Sequence, residues 1–296
     1  MSGSLKHYII LNLTVFVWGF TGVLGKEISI DAYQIVFFRM GIAFLSLILI
    51  GFFKKKPAAI SQRQRIGLLA TGGIVAIHWF TFFYSIKVST VSVAVVCMSS
   101  ATLFTALLEP LIFKRKILAS EFVLSLAIMV GITLIIGFEY GYLYGILIGL
   151  ISAFLASLFN VLNGKFIQTV PSFSITKNEM FGGVLTMAVL LLITGDFNLA
   201  LFEVSSTNWI YLGILGIICT TGAFLVSVWL MKFLSPFTVS MGLNMEPIYA
   251  ILIALSLDFY RGETTEKMSV GFYVGTLIIL GSIFINGYLK KKKSKL

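Results

Sequence analysis

The sequence predicts an all-α integral membrane protein of ten transmembrane helices, arranged as two inverted five-helix repeats with both termini cytoplasmic. Three observations carry this prediction. Hydrophobic residues make up 58% of the 296 positions and charged residues only 11%, where soluble domains carry about a quarter charged. The apolar residues fall in runs long enough to cross a bilayer. Lysine and arginine are also distributed unevenly between alternate connections.

Crossing the hydrocarbon core as a helix takes about 20 predominantly apolar residues. Runs bounded by charge or by Gly, Pro and Ser clusters give spans at 8–25, 32–53, 66–86, 91–113, 118–138, 142–166, 173–194, 208–232, 237–257 and 270–289. None alternates with the two-residue period of a barrel strand. The connections are short and leave no room for a separate soluble domain. The first run is long enough to span and is not followed by a small-x-small cleavage site, so it reads as a helix rather than a removable leader. The sequon Asn12-Leu13-Thr14 lies inside that run, which argues against glycosylation there.

With the N-terminus inside, the inner segments hold Lys6, Lys54 to Lys56, Arg63, Arg65, Lys114, Arg115, Lys116, Lys165, Lys177, Lys232, Lys290 to Lys293 and Lys295. The outer segments hold only Lys26, Lys87, Arg261 and Lys267. Glu27, Asp31, Glu139, Asp196, Glu203, Asp258, Glu263 and Glu266 fall outside. The net charge of +10 therefore reads as topology and attraction to anionic lipid, with no nucleic-acid partner implied. Cys97 and Cys219 sit in apolar runs and read as small buried hydrophobes. No metal or cofactor is implied. The terminal Ser294-Lys295-Leu296 matches a peroxisomal address but ends a lysine tail and reads as chance.

Ten spans divide into residues 1–138 and 139–296. Val23-Leu24-Gly25-Lys26 ends span 1, and Val161-Leu162-Asn163-Gly164-Lys165 ends span 6. Ser85-Ile86-Lys87 and Leu230-Met231-Lys232 close spans 3 and 8. Thr90-Val91-Ser92 and Thr238-Val239-Ser240 open spans 4 and 9, at an offset of 148. Ile128-Met129-Val130-Gly131 recurs as Ile278-Ile279-Leu280-Gly281. Because five is odd, the second copy enters from the opposite side, an arrangement common in secondary transporters.

Trp18-Gly19, Arg39, the Lys87 turn and above all Leu243-Asn244-Met245-Glu246-Pro247-Ile248-Tyr249 resemble the EamA-type drug/metabolite transporters across essentially the whole chain. The resemblance implies ten helices, alternating access, and movement of small metabolites such as amino acids. The chain departs from the pattern where such proteins often carry a proline in span 4, since Ser99 through Thr102 stand there. Lys114-Arg115-Lys116 stands where an acid often opens span 5.

The repeat also suggests a cavity wall. Thr14, Trp18, Thr21 and Gly25 share one helical face, and the offset of 139 maps them to Ala153, Ser157, Asn160 and Gly164. His78, Phe82 and Ser85 map to Ala223, Ser227 and Leu230. Ser92, Val96 and Ser99 map to Ser240, Asn244 and Pro247. Polar groups should avoid lipid, so Trp18, Thr21, His78, Phe82, Ser99, Ser157, Asn160, Ser227, Asn244 and Glu246 are the substrate-cavity candidates. Close packing through small residues is the plain alternative for any one of them. Trp79, Tyr84 and Trp229 are candidates for an aromatic wall, and Trp209 for an interface anchor.

Glu246 is the most informative residue. A mid-depth carboxylate costs about 2.5–3.5 kcal/mol on insertion scales. It could carry protons, pair with a substrate amine, or bond backbone groups freed by Pro247. The last role is favoured, because the resemblance implies that Glu-Pro recurs in carriers of many different solutes, and because the face of Glu246 also holds Gly242 and Tyr249 rather than Asn244. His78 suits proton coupling by its chemistry but reads first as a hydrogen-bonded packing residue. Arg39 is expected to pair with helix-end carbonyls or an acid, and the resemblance implies a place outside the cavity. Glu109 should form an interfacial ion pair near Lys114 to Lys116.

The function expected is a secondary transporter, an exporter of a small polar or amphiphilic metabolite, driven by proton or ion coupling or by exchange. The location expected is a bacterial inner membrane, as a monomer or homodimer. A membrane-embedded enzyme acting on a lipid-linked substrate is the competing class. It predicts clustered acid, His or Cys groups, whereas the chain carries no HExxH, GxSxG or P-loop.

Overall fold

A computed structural model describes residues 4–53, 60–138, 140–262 and 270–293. Among the charges tallied above, Lys54 to Lys56, Glu139, Glu263, Glu266, Lys267 and Lys295 lie outside these residues, as does the terminal tripeptide.

The described residues are mostly helical, with no strand among them. The helices are α1 (Leu5–Glu27), α2 (Ala32–Phe52), α3 (Gln62–Val88), α4 (Val91–Met98), α5 (Ala101–Phe113), α6 (Ala119–Phe138), α7 (Leu143–Phe166), α8 (Ser172–Thr194), α9 (Ser206–Ile214), α10 (Ala223–Leu230), α11 (Pro236–Leu243), α12 (Glu246–Arg261) and α13 (Val270–Lys293). A π-helical segment, Leu215–Gly222, joins α9 to α10. Eight units are long and apolar enough to span: α1, α2, α3, α4 with α5, α7, α8, α9 through α10, and α11 with α12. The spans expected at 118–138 and 270–289 coincide with α6 and α13. Their described apolar stretches are shorter, Phe122–Gly131 and Tyr273–Ser282. These two helices pack against each other.

Local chemistry sets the helix starts. Ser61 Oγ accepts from Gln64 N at 3.2 Å while the Gln64 side chain accepts from Ser61 N at 2.9 Å, a reciprocal cap on α3. Asp31 and Gln34 repeat the arrangement on α2. Thr90 Oγ1 accepts from Val93 N at 3.1 Å. Ser235 Oγ accepts from Thr238 N at 3.2 Å, with Pro236 opening α11. A proline there forfeits nothing, because first-turn N–H groups have no intrahelical partner.

Two expected spans are broken. Span 4 divides at Ser99-Ser100 and span 9 at Asn244-Met245. The caps Thr90 and Ser235 are 145 residues apart, and so are the two breaks. The motif match at 148 is therefore three residues out of register: the breaks align Ser99 with Asn244, not with Pro247.

Small residues let the helices approach. A Cβ at Gly19 would lie 2.7 Å from Tyr249 Cβ, joining α1 to α12. One at Gly182 would lie 2.2 Å from the Leu69 carbonyl oxygen, joining α8 to α3. This is the packing mode of helices in lipid, where apolar side chains gain little by meeting each other. Leucines such as Leu13, Leu49, Leu111 and Leu192 point outward and are exposed, as a lipid-facing surface requires. At another edge of the bundle, Arg261 Nη1 and Nη2 donate to Glu27 Oε1 and Oε2 at 2.7 and 2.9 Å. Lys87 Nζ donates there to the Ile28 carbonyl.

Candidate functional site

Breaking the helices creates the site. α4 stops at Met98 and α12 restarts at Glu246, so both breaks end against one interior cavity. Its wall comprises Trp18 and Thr21 of α1, Arg39 of α2, and His78, Trp79 and Phe82 of α3. Met98, Ala156, Phe159, Asn160, Phe224, Leu243 and Glu246 complete it. About 60 Å³ is open to the centre of a water molecule, room for a few waters. The cavity is narrow in this conformation.

The π segment braces one side. Widening the helix to an i→i+5 pattern disturbs the carbonyl ladder. Thr220 Oγ1 donates to Leu215 O at 2.7 Å and Thr221 Oγ1 to Gly216 O at 2.9 Å. Trp18 Nε1 donates to Cys219 O at 2.8 Å. The indole is thereby fixed with its ring on the cavity wall.

Arg39 is the principal correction. It is 1% exposed, yet it stands on the cavity wall rather than at a helix end. Its Nε donates to Thr220 Oγ1 at 2.6 Å, and the guanidinium lies 3.9 Å from the Trp79 ring centroid. Nη1 is buried without a hydrogen-bond partner. A guanidinium stacked on an indole and held at Nε keeps Nη1 as an unused donor on the cavity wall.

Glu246 is the second correction. The favoured reading placed it on a continuous helix face, bonding backbone freed by Pro247. Because α12 begins at Glu246, Pro247 sits in a first turn and breaks no ladder. Glu246 stands on the wall, where the candidate set had it, and shares the cavity with Arg39. Tyr249 turns toward α1, where its hydroxyl donates to Asn12 Oδ1 at 2.7 Å.

His78 is held by α7. Its Nδ1 lies 2.9 Å from Ser152 O and 2.8 Å from Ser152 Oγ, and Ser152 Oγ also donates to His78 O at 2.9 Å. The ring faces Phe159 at 5.3 Å. It is both a hydrogen-bonded packing residue and part of the wall.

Trp18, Thr21, His78, Phe82, Asn160 and Glu246 thus meet in one cavity. Ser99, Ser157, Ser227 and Asn244 are buried but stand off its wall. Ser157 Oγ is 2.8 Å from Thr105 Oγ1, which is 2.8 Å from Ser240 Oγ. Asn244 Nδ2 donates to Thr102 Oγ1 at 2.8 Å. Ser157 and Asn244 thus tie α5 to α7 and to the end of α11 beside the break, whereas Ser99 Oγ is buried without a partner. Tyr84 stacks on Phe80 at 5.8 Å, and Trp229 packs on Phe233 at 5.0 Å; neither reaches the wall. Among the wall residues absent from the candidates, Phe159 and Phe224 left no distinctive signal in a chain with 27 phenylalanines. Arg39 did leave one: it is the single basic residue that the charge tally placed in neither set of connections.

A multi-span helical bundle enclosing a partly polar chamber is the architecture of a membrane transporter. The chain belongs to the EamA-like transporter family, whose model matches residues 5–137 and again residues 143–288. It is similar to the uncharacterized transporter YxxF of Bacillus subtilis (strain 168), at 23% identity over 87% of this chain and 84% of that protein. An uncharacterized transporter of Clostridium kluyveri is 26% identical over 98% of this chain and 95% of its own length. A solved crystal structure shares the fold with a TM-score of 0.71 at 16% identity, covering 96% of both chains.

Proposed function

We propose that this transporter is a secondary carrier that exports a small polar metabolite bearing both a carboxylate and an amine, such as an amino acid, by alternating access. The observation that carries the reading is the pairing of Arg39 and Glu246 in one aromatic-walled cavity. An arginine with a free Nη1 suits a carboxylate. A carboxylate across the same chamber suits an ammonium group. The rings of Trp18, Trp79, Phe82 and Phe159 suit the apolar remainder of the solute.

Two inverted halves supply the motion. The family model matches once in each half, and caps and breaks recur at one spacing, which supports the division at residues 138 and 139. Rocking of one half on the other would open the cavity to each face in turn and widen it for the solute. The lysine and arginine distribution supports cytoplasmic termini in a bacterial inner membrane.

The test is comparative metabolite release from cells expressing the wild type, an empty vector or Glu246→Gln at matched membrane levels. The reading expects a class of zwitterionic solutes outside the cells only with the wild type. Equal release from all three strains would overturn export.

A further inference from the structure

Glu179 on α8 and Asn163 on α7 lie off the cavity wall, and both are 0% exposed. Asn163 Nδ2 donates to Glu179 Oε2 at 3.2 Å. The other oxygen of each group, Glu179 Oε1 and Asn163 Oδ1, is buried with no hydrogen-bond partner. While Glu179 is ionised, both orphans are acceptors and cannot satisfy each other.

Among the described residues no cation is bonded to the acid. Arg63 and Arg65 of α3, Arg39 of α2, Lys165 of α7 and Lys177 of α8 make no bond to it, and α10 carries no titratable side chain. His78 is engaged with Ser152. A bare carboxylate without water or a counter-charge is the costliest state such a group can occupy. The helix that carries it is closely packed. A Cβ at Gly72 would lie 2.1 Å from the Glu179 carbonyl oxygen, so α3 and α8 are in backbone contact at this residue.

The position has a counterpart. Arg39 and Glu179 are 140 residues apart, and the glycines their backbones meet, Gly216 and Gly72, are 144 apart. Each half therefore buries one ionisable group on its second span against a glycine of the other half's third span. One group is the cavity arginine; the other is this acid.

We propose that Glu179 and Asn163 form a proton-binding site separate from the substrate cavity. A proton on Oε1 is donated to Asn163 Oδ1 while Asn163 Nδ2 donates back to Oε2. The two hydrogen bonds close a ring between acid and amide. One proton satisfies both orphaned oxygens and leaves a neutral pair suited to a dry interior. Parting α8 from α3 and α7 would open the ring and release the proton to water. Its use as a coupling site rests on the transporter reading above; its existence does not. Sodium is the other small cation of suitable chemistry, with Thr176 Oγ1, buried and unpartnered one turn earlier, as a third oxygen.

Infrared spectroscopy of the full-length protein in lipid at neutral pH tests this without any transport assay. The wild type should show the carbonyl stretch of a protonated carboxylic acid, and Glu179→Gln should lose one carboxyl's share of it. Asn163→Leu should keep that band but shift it, since the ring partner is gone, which decides the matter if Glu179→Gln fails to fold. Replacing sodium by choline should leave the band unchanged. A wild-type spectrum with no band that either variant alters overturns the proposal. A band that appears only when sodium is removed also overturns it and assigns the site to sodium.

Discussion

Trp18 and Cys219 are joined by a single hydrogen bond, from the indole Nε1 to the backbone carbonyl at 2.8 Å, across 201 residues of chain. The bond binds α1 to the π segment and turns an aromatic ring onto the cavity wall. Trp18→Phe would keep most of the ring and remove the donor. The Cys219 carbonyl would then be left without its partner, at a cost of about 1–3 kcal/mol for a buried polar group. A lower melting temperature in detergent with unchanged expression is the expected result. An unchanged melt would mean that the carbonyl finds another donor.

Arg39 offers a sharper test, because charge and shape can be separated. Arg39→Lys retains the charge but loses the planar fork, the Trp79 stack at 3.9 Å and the geometry of the bond to Thr220. Counterflow of the solute identified by metabolite release should fall about tenfold or more in Arg39→Lys, because lysine lacks the planar Nη1 donor proposed to meet the carboxylate. Arg39→Met should be no better. Equal activity of Lys and Arg would show that only the charge matters, and would remove carboxylate recognition from the proposed role.

Glycine substitutions separate packing from mere composition. At Gly72 a Cβ would meet the Glu179 backbone at 2.1 Å, whereas Gly41 has nothing within 4 Å. Gly72→Ala should destabilise by about 1–3 kcal/mol or prevent assembly, as overpacking does. Gly41→Ala should be neutral or slightly stabilising, since alanine is the better helix former. Membrane-level expression and thermal melting of the two variants check this. Comparable behaviour would mean that α3 and α8 can separate at no cost.

Eight of the expected spans were legible because backbone polar groups in lipid leave the chain little choice but helix, and twenty-residue apolar runs are hard to miss. Trp18 with Thr21, and His78 with Phe82, were legible because one helical turn fixes which residues share a face. The breaks at Ser99-Ser100 and Asn244-Met245 were not. Neither carries an internal Gly or Pro, and only the caps in the folded chain reveal their common spacing. Reading span 9 as unbroken made Pro247 a mid-helix break and so favoured a backbone-bonding role for Glu246. The π segment was illegible for a related reason: its Thr220 and Thr221 bonds become specific only once Trp18 and Arg39 approach from distant parts of the sequence. Arg39 was misplaced because its partners lie on α3 and the π segment, and no local pattern encodes them.

Glu109 supplies the last test. The sequence suggested an ion pair near Lys114 to Lys116, and the pair forms, Arg115 Nε to Glu109 Oε1 at 3.2 Å. The same carboxylate does more. Its Oε2 accepts from Phe237 N at 2.7 Å, in the first turn of α11, where N–H groups lack intrahelical partners and the helix dipole favours an anion. Glu109 therefore ties the end of α5 to the start of α11, the helix whose far end forms the break before Glu246. Glu109→Gln keeps an acceptor for Phe237 N but loses the charge, whereas Glu109→Ala loses both. The expected order of stability is wild type, then Gln, then Ala, with Ala lower by about 1–3 kcal/mol. Transport should fall in the same order, because a loosened α11 blurs the position of Glu246. Thermal melting and counterflow on the three proteins read both effects. A Gln variant as impaired as Ala would show that the charge, not the cap, holds the two helices together.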